Sequence, residues 1–120
     1  MATRMTYEET MSLGARQYAD VIARLETEGF PLAEFIQTGG MCAAIEVQLE
    51  TGYTLLLTDA DDTLSWARAE QLGWGVGMYA PGEARDGAIS YAQDYSNDID
   101  TLIRLMIDVL QQGVAATRRI

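Results

Sequence analysis

Hydrophobic periodicity changes twice along this chain, from a helical repeat to strand alternation and back, and that order limits the architectures open to it. Met11, Ala15, Tyr18, Ile22 and Leu25 recur at spacings of four and three, which draws one apolar stripe down a helix. Thr6 with Glu9 has the spacing of a capping box, and Glu8 and Glu9 suit the positive end of the helix dipole. Gly29 followed by Pro31 supplies a stop, so the first helix is read over about residues 6–28. At the far end Ile99, Leu102, Ile103, Met106, Val109, Leu110 and Val114 form a wide apolar face. Ser96 or Asn97 is positioned to cap that helix, with Asp98 and Asp100 in its first turn. It is expected over about residues 98–112, extending toward 117 through Gly113.

Between the helices the period falls to two. Phe35–Thr38 is short and apolar and leads into a Gly39-Gly40 turn. Cys42–Glu50 alternates, with Ala43, Ile45, Val47 and Leu49 on one side and Ala44, Glu46, Gln48 and Glu50 on the other. Thr51-Gly52 reverses the chain into an apolar strand over Tyr53–Thr58, a hairpin. Trp74–Ala80 and Ala88–Gln93 read as two more strands, joined by a turn-rich stretch from Pro81-Gly82 to Asp86-Gly87. Short turns favour an antiparallel meander, because parallel pairs need long crossovers. Two helices with one apolar face each are buried most simply on the same side of the sheet. The expected fold is α+β in two layers: a four- or five-stranded antiparallel sheet with N- and C-terminal helices on one face, all within one domain of 120 residues.

Composition narrows function more than it reveals it. Eighteen Asp and Glu stand against eight Arg, with no His and no Lys, for a formal net charge of −10. The commonest neutral-pH general base and the Schiff-base nucleophile are therefore both missing. A chain this acidic is repelled by nucleic acid and by anionic membrane surfaces. Cationic partners are favoured instead, either a basic protein surface or a divalent metal, although charge of this size also serves solubility. Cys42 is the only cysteine, which rules out an intrachain disulfide and suits a reducing, cytoplasmic setting. No run approaches the roughly 18 apolar residues of a transmembrane helix, and no leader pattern is present.

Three features invite chemistry. Asp59, Asp61 and Asp62 follow an apolar strand, and Glu70 falls at the twelfth position from Asp59, as in a calcium-binding loop. Leu64 occupies the position where such a loop needs glycine, so the better reading has Asp59 or Asp62 capping the segment that follows. Paired carboxylates also hydrolyse glycosides, but short loops leave little room for a cleft. Cys42 lacks a base to activate it and is read as a small hydrophobe. Gly73-Trp74-Gly75-Val76-Gly77 has G-x-G-x-G spacing with no helix after it, unlike a phosphate loop. As a strand it sets three glycines on one side and Trp74, Val76 and Met78 on the other, leaving bare backbone for Trp66, a helix or a partner to cover. Trp66, Trp74 and Tyr79, with Asp59, Asp61 and Asp62, are the candidate partner-contact residues, since Trp, Tyr and Arg dominate interface hot spots.

The stretch Thr38-Gly39-Gly40-Met41-Cys42-Ala43-Ala44-Ile45-Glu46-Val47, then Thr58-Asp59, Leu64-Ser65-Trp66 with Arg68, and Gly73-Trp74-Gly75-Val76-Gly77 with Tyr79, resembles small acidic proteins of actinobacteria and their phages. No activity is assigned to that group, so the resemblance implies an origin and carries over no site residues. The functional expectation is a non-catalytic protein that needs no cofactor and binds a basic protein partner. In its sharper form it is a phage or mobile-element inhibitor that imitates nucleic-acid charge through Glu8, Glu9, Asp20, Glu26, Glu28, Asp98, Asp100 and Asp108. The alternatives are a self-associating homodimer and, third, a metal-dependent hydrolase.

Overall fold

The computed structural model describes residues 6–39, 42–81 and 87–117. It shows two N-terminal helices, a five-stranded antiparallel sheet and a C-terminal helix packed on that sheet. The strands β1 (Ala33–Gly39), β2 (Cys42–Gln48), β3 (Thr54–Thr58), β4 (Trp74–Tyr79) and β5 (Ser90–Asp94) lie side by side in chain order. The meander and the two-layer arrangement follow the expectation. Gly40 and the stretch from Gly82 to Asp86, both assigned to turns from sequence, lie outside the described residues.

The first helix departs from its expected span. It is two helices, α1 (Tyr7–Gln17) and α2 (Ala19–Thr27), broken at Tyr18. The capping box at Thr6 and Glu9 forms as its spacing required. At Tyr18 the backbone turns to φ −112° and ψ 19°, and its N–H bonds to the Ala15 and Arg16 carbonyls. The buried face shifts slightly at this bend: Tyr18 and Leu25 are fully buried as expected, but between them it is Val21 that is fully buried, while Ile22 is half-buried. Tyr18 itself explains the break: its hydroxyl donates to the Ser65 carbonyl, and its ring stacks on Phe35 and meets Trp74 edge-on.

The last helix, α3, runs Ile99–Thr117, the longer of the two expected spans. Among the described residues neither proposed cap accepts a first-turn backbone N–H through its side chain. Asn97 instead donates to the Gln71 carbonyl, and the Ser96 hydroxyl accepts from the Asp98 N–H and from Thr101 Oγ1. Gly113 is buried within the helix; a Cβ there would come within 2.2 Å of Met78 Sδ.

Alternation sorts the sheet into two faces. Register places Phe35 opposite Ile45, Ile45 opposite Leu57, Leu57 opposite Val76 and Val76 opposite Ala92, one row across all five strands. That row meets Val21 and Leu25 of α2 and Leu102, Met106 and Val109 of α3 in one apolar core. Fully burying a side chain of this kind stabilises by roughly 1.5–3 kcal/mol. Among the described residues no helix is long and apolar enough to cross a membrane.

Burial of Tyr18 has a consequence for pH. Desolvation raises the phenol above its ordinary value of 10.0, with Asp59 and Asp20 adding to the rise and Arg68 opposing it. The unfolded chain therefore gives up this proton first as pH rises, and stability is lost from about pH 10 upward. Urea midpoints should hold up to about pH 9 and fall steeply by about pH 11. Tyr18→Phe should flatten that fall, at a cost of about 1 kcal/mol at neutral pH for the lost hydrogen bond.

Candidate functional site

Asp59 is a buried loop anchor. It is 6% exposed, and its carboxylate accepts from three backbone N–H groups: Ala60 at 2.7 Å, Leu72 at 3.0 Å and Gly73 at 2.8 Å. These bonds tie the start of β4 to the end of β3, the capping role expected of Asp59 or Asp62. Asp62 accepts from Thr63 N–H at 2.7 Å, and Asp61, with φ 61°, takes a hydrogen bond from the Tyr95 hydroxyl. As for the weaker calcium-loop reading of Asp59, Asp61, Asp62 and Glu70, among the described residues no three His, Cys, Asp or Glu side chains are placed to hold an ion.

One of the two tryptophan assignments changes as well. Trp74 is fully buried, and its indole N–H donates to the Asp98 carbonyl at the start of α3. It belongs to the core and is not available to a partner. Trp66 is half-buried and packs edge-on against Phe35, with ring centroids 5.3 Å apart. Asp59, being buried, also leaves the set of partner contacts. Asp61 and Asp62 remain exposed and Tyr79 half-exposed.

The bare glycine face lies away from the helices and is covered neither by Trp66 nor by a helix. Tyr79 lays its ring over Gly77, where a Cβ would come within 3.0 Å of Tyr79 Cε2. At Gly75 the same atom would fall 2.6 Å from the Tyr91 hydroxyl. The glycines therefore make room for two tyrosines lying flat on the sheet. Tyr91 also donates to Gln93 Oε1, which accepts from the Asp61 N–H. Desolvation, with Asp61 nearby, raises the Tyr91 phenol.

Arg68 sits on the helix side of the molecule. Its guanidinium lies 5.4 Å from the Trp74 ring and 6.0 Å from the Tyr18 ring. Nη1 donates to Gln71 Oε1 and Nη2 to the Asn97 carbonyl, while Nε has no hydrogen-bond partner among the described residues. Both ring faces lie within cation–π reach of the charge.

The uncovered sheet face is where charge accumulates. Glu34 on β1 stands directly opposite Glu46 on β2, and both project to the side away from the core. Like charges directly opposite on neighbouring strands are destabilising. The Gln48 amide donates to Glu46 Oε1, and Ile36, Leu56, Tyr79 and Tyr91 continue the face toward β5. Pro31, Leu32, Glu34, Glu46 and Gln48 enclose a shallow recess of about 320 Å³ beside the two carboxylates.

Among the described residues the cations are elsewhere. The arginines among the described residues are Arg16, Arg24, Arg68 and Arg104. Arg24 bonds Glu28 and Asp100, and Arg104 bonds Asp94. Arg24 thereby occupies two of the eight helix acids offered as phosphate mimics. Burial also corrects the view of Cys42, which is exposed at the start of β2. Sequence reasoning missed Glu34 altogether, because it placed β1 from Phe35. Starting the alternation two residues earlier would have brought Glu34 into β1, though not its pairing with Glu46, which is a matter of register.

The search among known proteins returned no match to a protein-family model, a curated protein or a solved structure.

Proposed function

We propose that this protein is a non-catalytic acidic binding module that docks a basic protein partner on its uncovered sheet face. The observation that supports it is the opposed pair Glu34 and Glu46 on the side that the described arginines avoid. An arrangement that costs stability in the free protein is offset when a partner brings Lys or Arg against it. Tyr79, Tyr91, Leu56 and Ile36 then supply the apolar contact that charge alone lacks, and tyrosine is a favoured hot-spot residue. Exposed Asp61 and Asp62 extend the negative rim. A second copy carries the same acidic face, so face-to-face self-association is opposed, and the protein alone should sediment as a monomer.

The test is anisotropy with a fluorescein-labelled, arginine-rich peptide. Glu34→Gln with Glu46→Gln should weaken binding by about ten-fold, or about 1.4 kcal/mol. The same double change should raise stability by about 0.5 kcal/mol, since the repulsion is gone. Asp108→Asn, an exposed acid on α3, should leave binding within about two-fold of wild type. Binding should fall steeply as salt rises. Equal losses from the helix and sheet substitutions would mean that net charge alone attracts the peptide, and the reading would fail.

A further inference from the structure

An apolar cavity of about 450 Å³ opens at the end of the helix layer, lined by Phe30, Leu49, Tyr53, Met78, Leu110 and Val114. Ligand pockets typically span about 300–1,000 Å³ and are mostly apolar with a few polar groups. Pro31, Leu32 and Gln48 belong both to this cavity and to the acidic recess at Glu34 and Glu46. The two spaces are therefore neighbours across a shared wall. Leu32, at the crest, is 57% exposed, and Val114 at the mouth is 42% exposed. Glu50 lines the cavity, a third carboxylate beside the two of the recess, and among the described residues no arginine lines either space.

We propose that the cavity receives an apolar side chain of a peptide segment whose adjacent Lys or Arg residues enter the recess at Glu34 and Glu46. The inference rests on the basic-partner reading above and narrows the partner to a segment with an apolar anchor beside basic residues. An anchored aromatic or aliphatic side chain in a desolvated pocket carries affinity, while the flanking charges set encounter rate and selectivity. The shared wall sets the register, because a chain crossing Pro31 and Leu32 reaches both spaces at once.

Labelled short peptides separate the two contributions: tryptophan beside two arginines, alanine beside two arginines, and tryptophan beside two glutamines. The tryptophan–arginine peptide should bind about ten-fold more tightly than either of the others. Val114→Trp, which fills the cavity mouth, should erase its advantage over the alanine–arginine peptide. The Met78 methyl resonance of the wild-type protein should shift with the tryptophan–arginine peptide and stay in place with the alanine–arginine one, a readout that does not depend on the variant folding. Equal affinity of the two arginine peptides with an unmoved Met78 methyl would overturn the cavity proposal and leave the acidic-face reading standing. Equal affinity of the two tryptophan peptides would instead remove the acidic-face reading, and this proposal with it. Dodecyltrimethylammonium shifting the Met78 methyl at the peptide's own affinity would reassign the cavity to small cationic amphiphiles and overturn the peptide proposal.

Discussion

Replacing Asp59 with alanine is expected to cost about 3 kcal/mol or more of folding stability, seen as a fall in Tm of about 12 °C or more. The carboxylate is the common acceptor for Ala60, Leu72 and Gly73 N–H, and Ala60 and Gly73 are buried. Removing it leaves two buried donors and one partly buried donor without a partner, each costing about 1–3 kcal/mol. Asp59→Asn should sit between: one acceptor oxygen survives, but the new amide N–H turns toward a backbone donor. Calorimetry on both variants gives the order wild type, Asn, Ala. An alanine variant that melts within a degree or two of wild type would mean that strand pairing, and not Asp59, holds the start of β4.

Gly73→Ala should be nearly as damaging, at about 3 kcal/mol. The added Cβ would fall 2.2 Å from the Asp94 carbonyl oxygen and 2.7 Å from Tyr95 Cα. Both are backbone atoms, and the β4–β5 ladder begins at once with Trp74 opposite Asp94, so neither chain can withdraw. Gly29→Ala is the instructive comparison. Nothing lies within 4 Å of its Cβ position, yet φ is +96°, and the cost there of about 1–2 kcal/mol is purely conformational. Urea denaturation should rank the position-73 variant as clearly the weaker of the two. The reverse order would show that the β4–β5 edge yields more readily than the ladder suggests.

The layers and the meander were legible because each rests on a local rule that tertiary structure did not override. Thr6 with Glu9, Thr51-Gly52 and the alternation from Ala43 to Val47 all took the geometry their spacing implies. Gly52, at φ +90°, is the turn residue that the hairpin needs. The break at Tyr18 was not legible, since no glycine or proline marks it and the apolar stripe has the same period on either side. It exists because the tyrosine hydroxyl reaches Ser65, 47 positions further along the chain.

The face carrying Glu34 and Glu46 was partly hidden for a related reason. Glu46 was read on the polar side of β2, but its neighbour across the ladder depends on register, which one strand's sequence does not state. Trp66 and Trp74 drew attention as interface candidates because aromatic content alone does not separate core from contact. The opposition of Trp74, Val76 and Met78 to Gly75 and Gly77 was the stronger clue, and it put Trp74 inside. Asp59 shows the same limit: three neighbouring aspartates look alike in sequence, and only the return of the chain at Leu72 and Gly73 separates the anchor from its exposed companions.

The meander also bears on how this chain is made. Each strand after β1 lies beside the one synthesised just before it, so the closely connected β1–β2 and β2–β3 pairs can close as soon as they clear the ribosome, whereas β4 reaches β3 only after the longer connection over residues 59–73. The C-terminal helix α3, which brings Leu102, Leu105, Met106 and Val109 to the core, emerges only after all five strands. Until then the nascent sheet shows Leu55, Leu57 and Val76 incompletely covered, and it is in that interval that chaperones and aggregation compete for it.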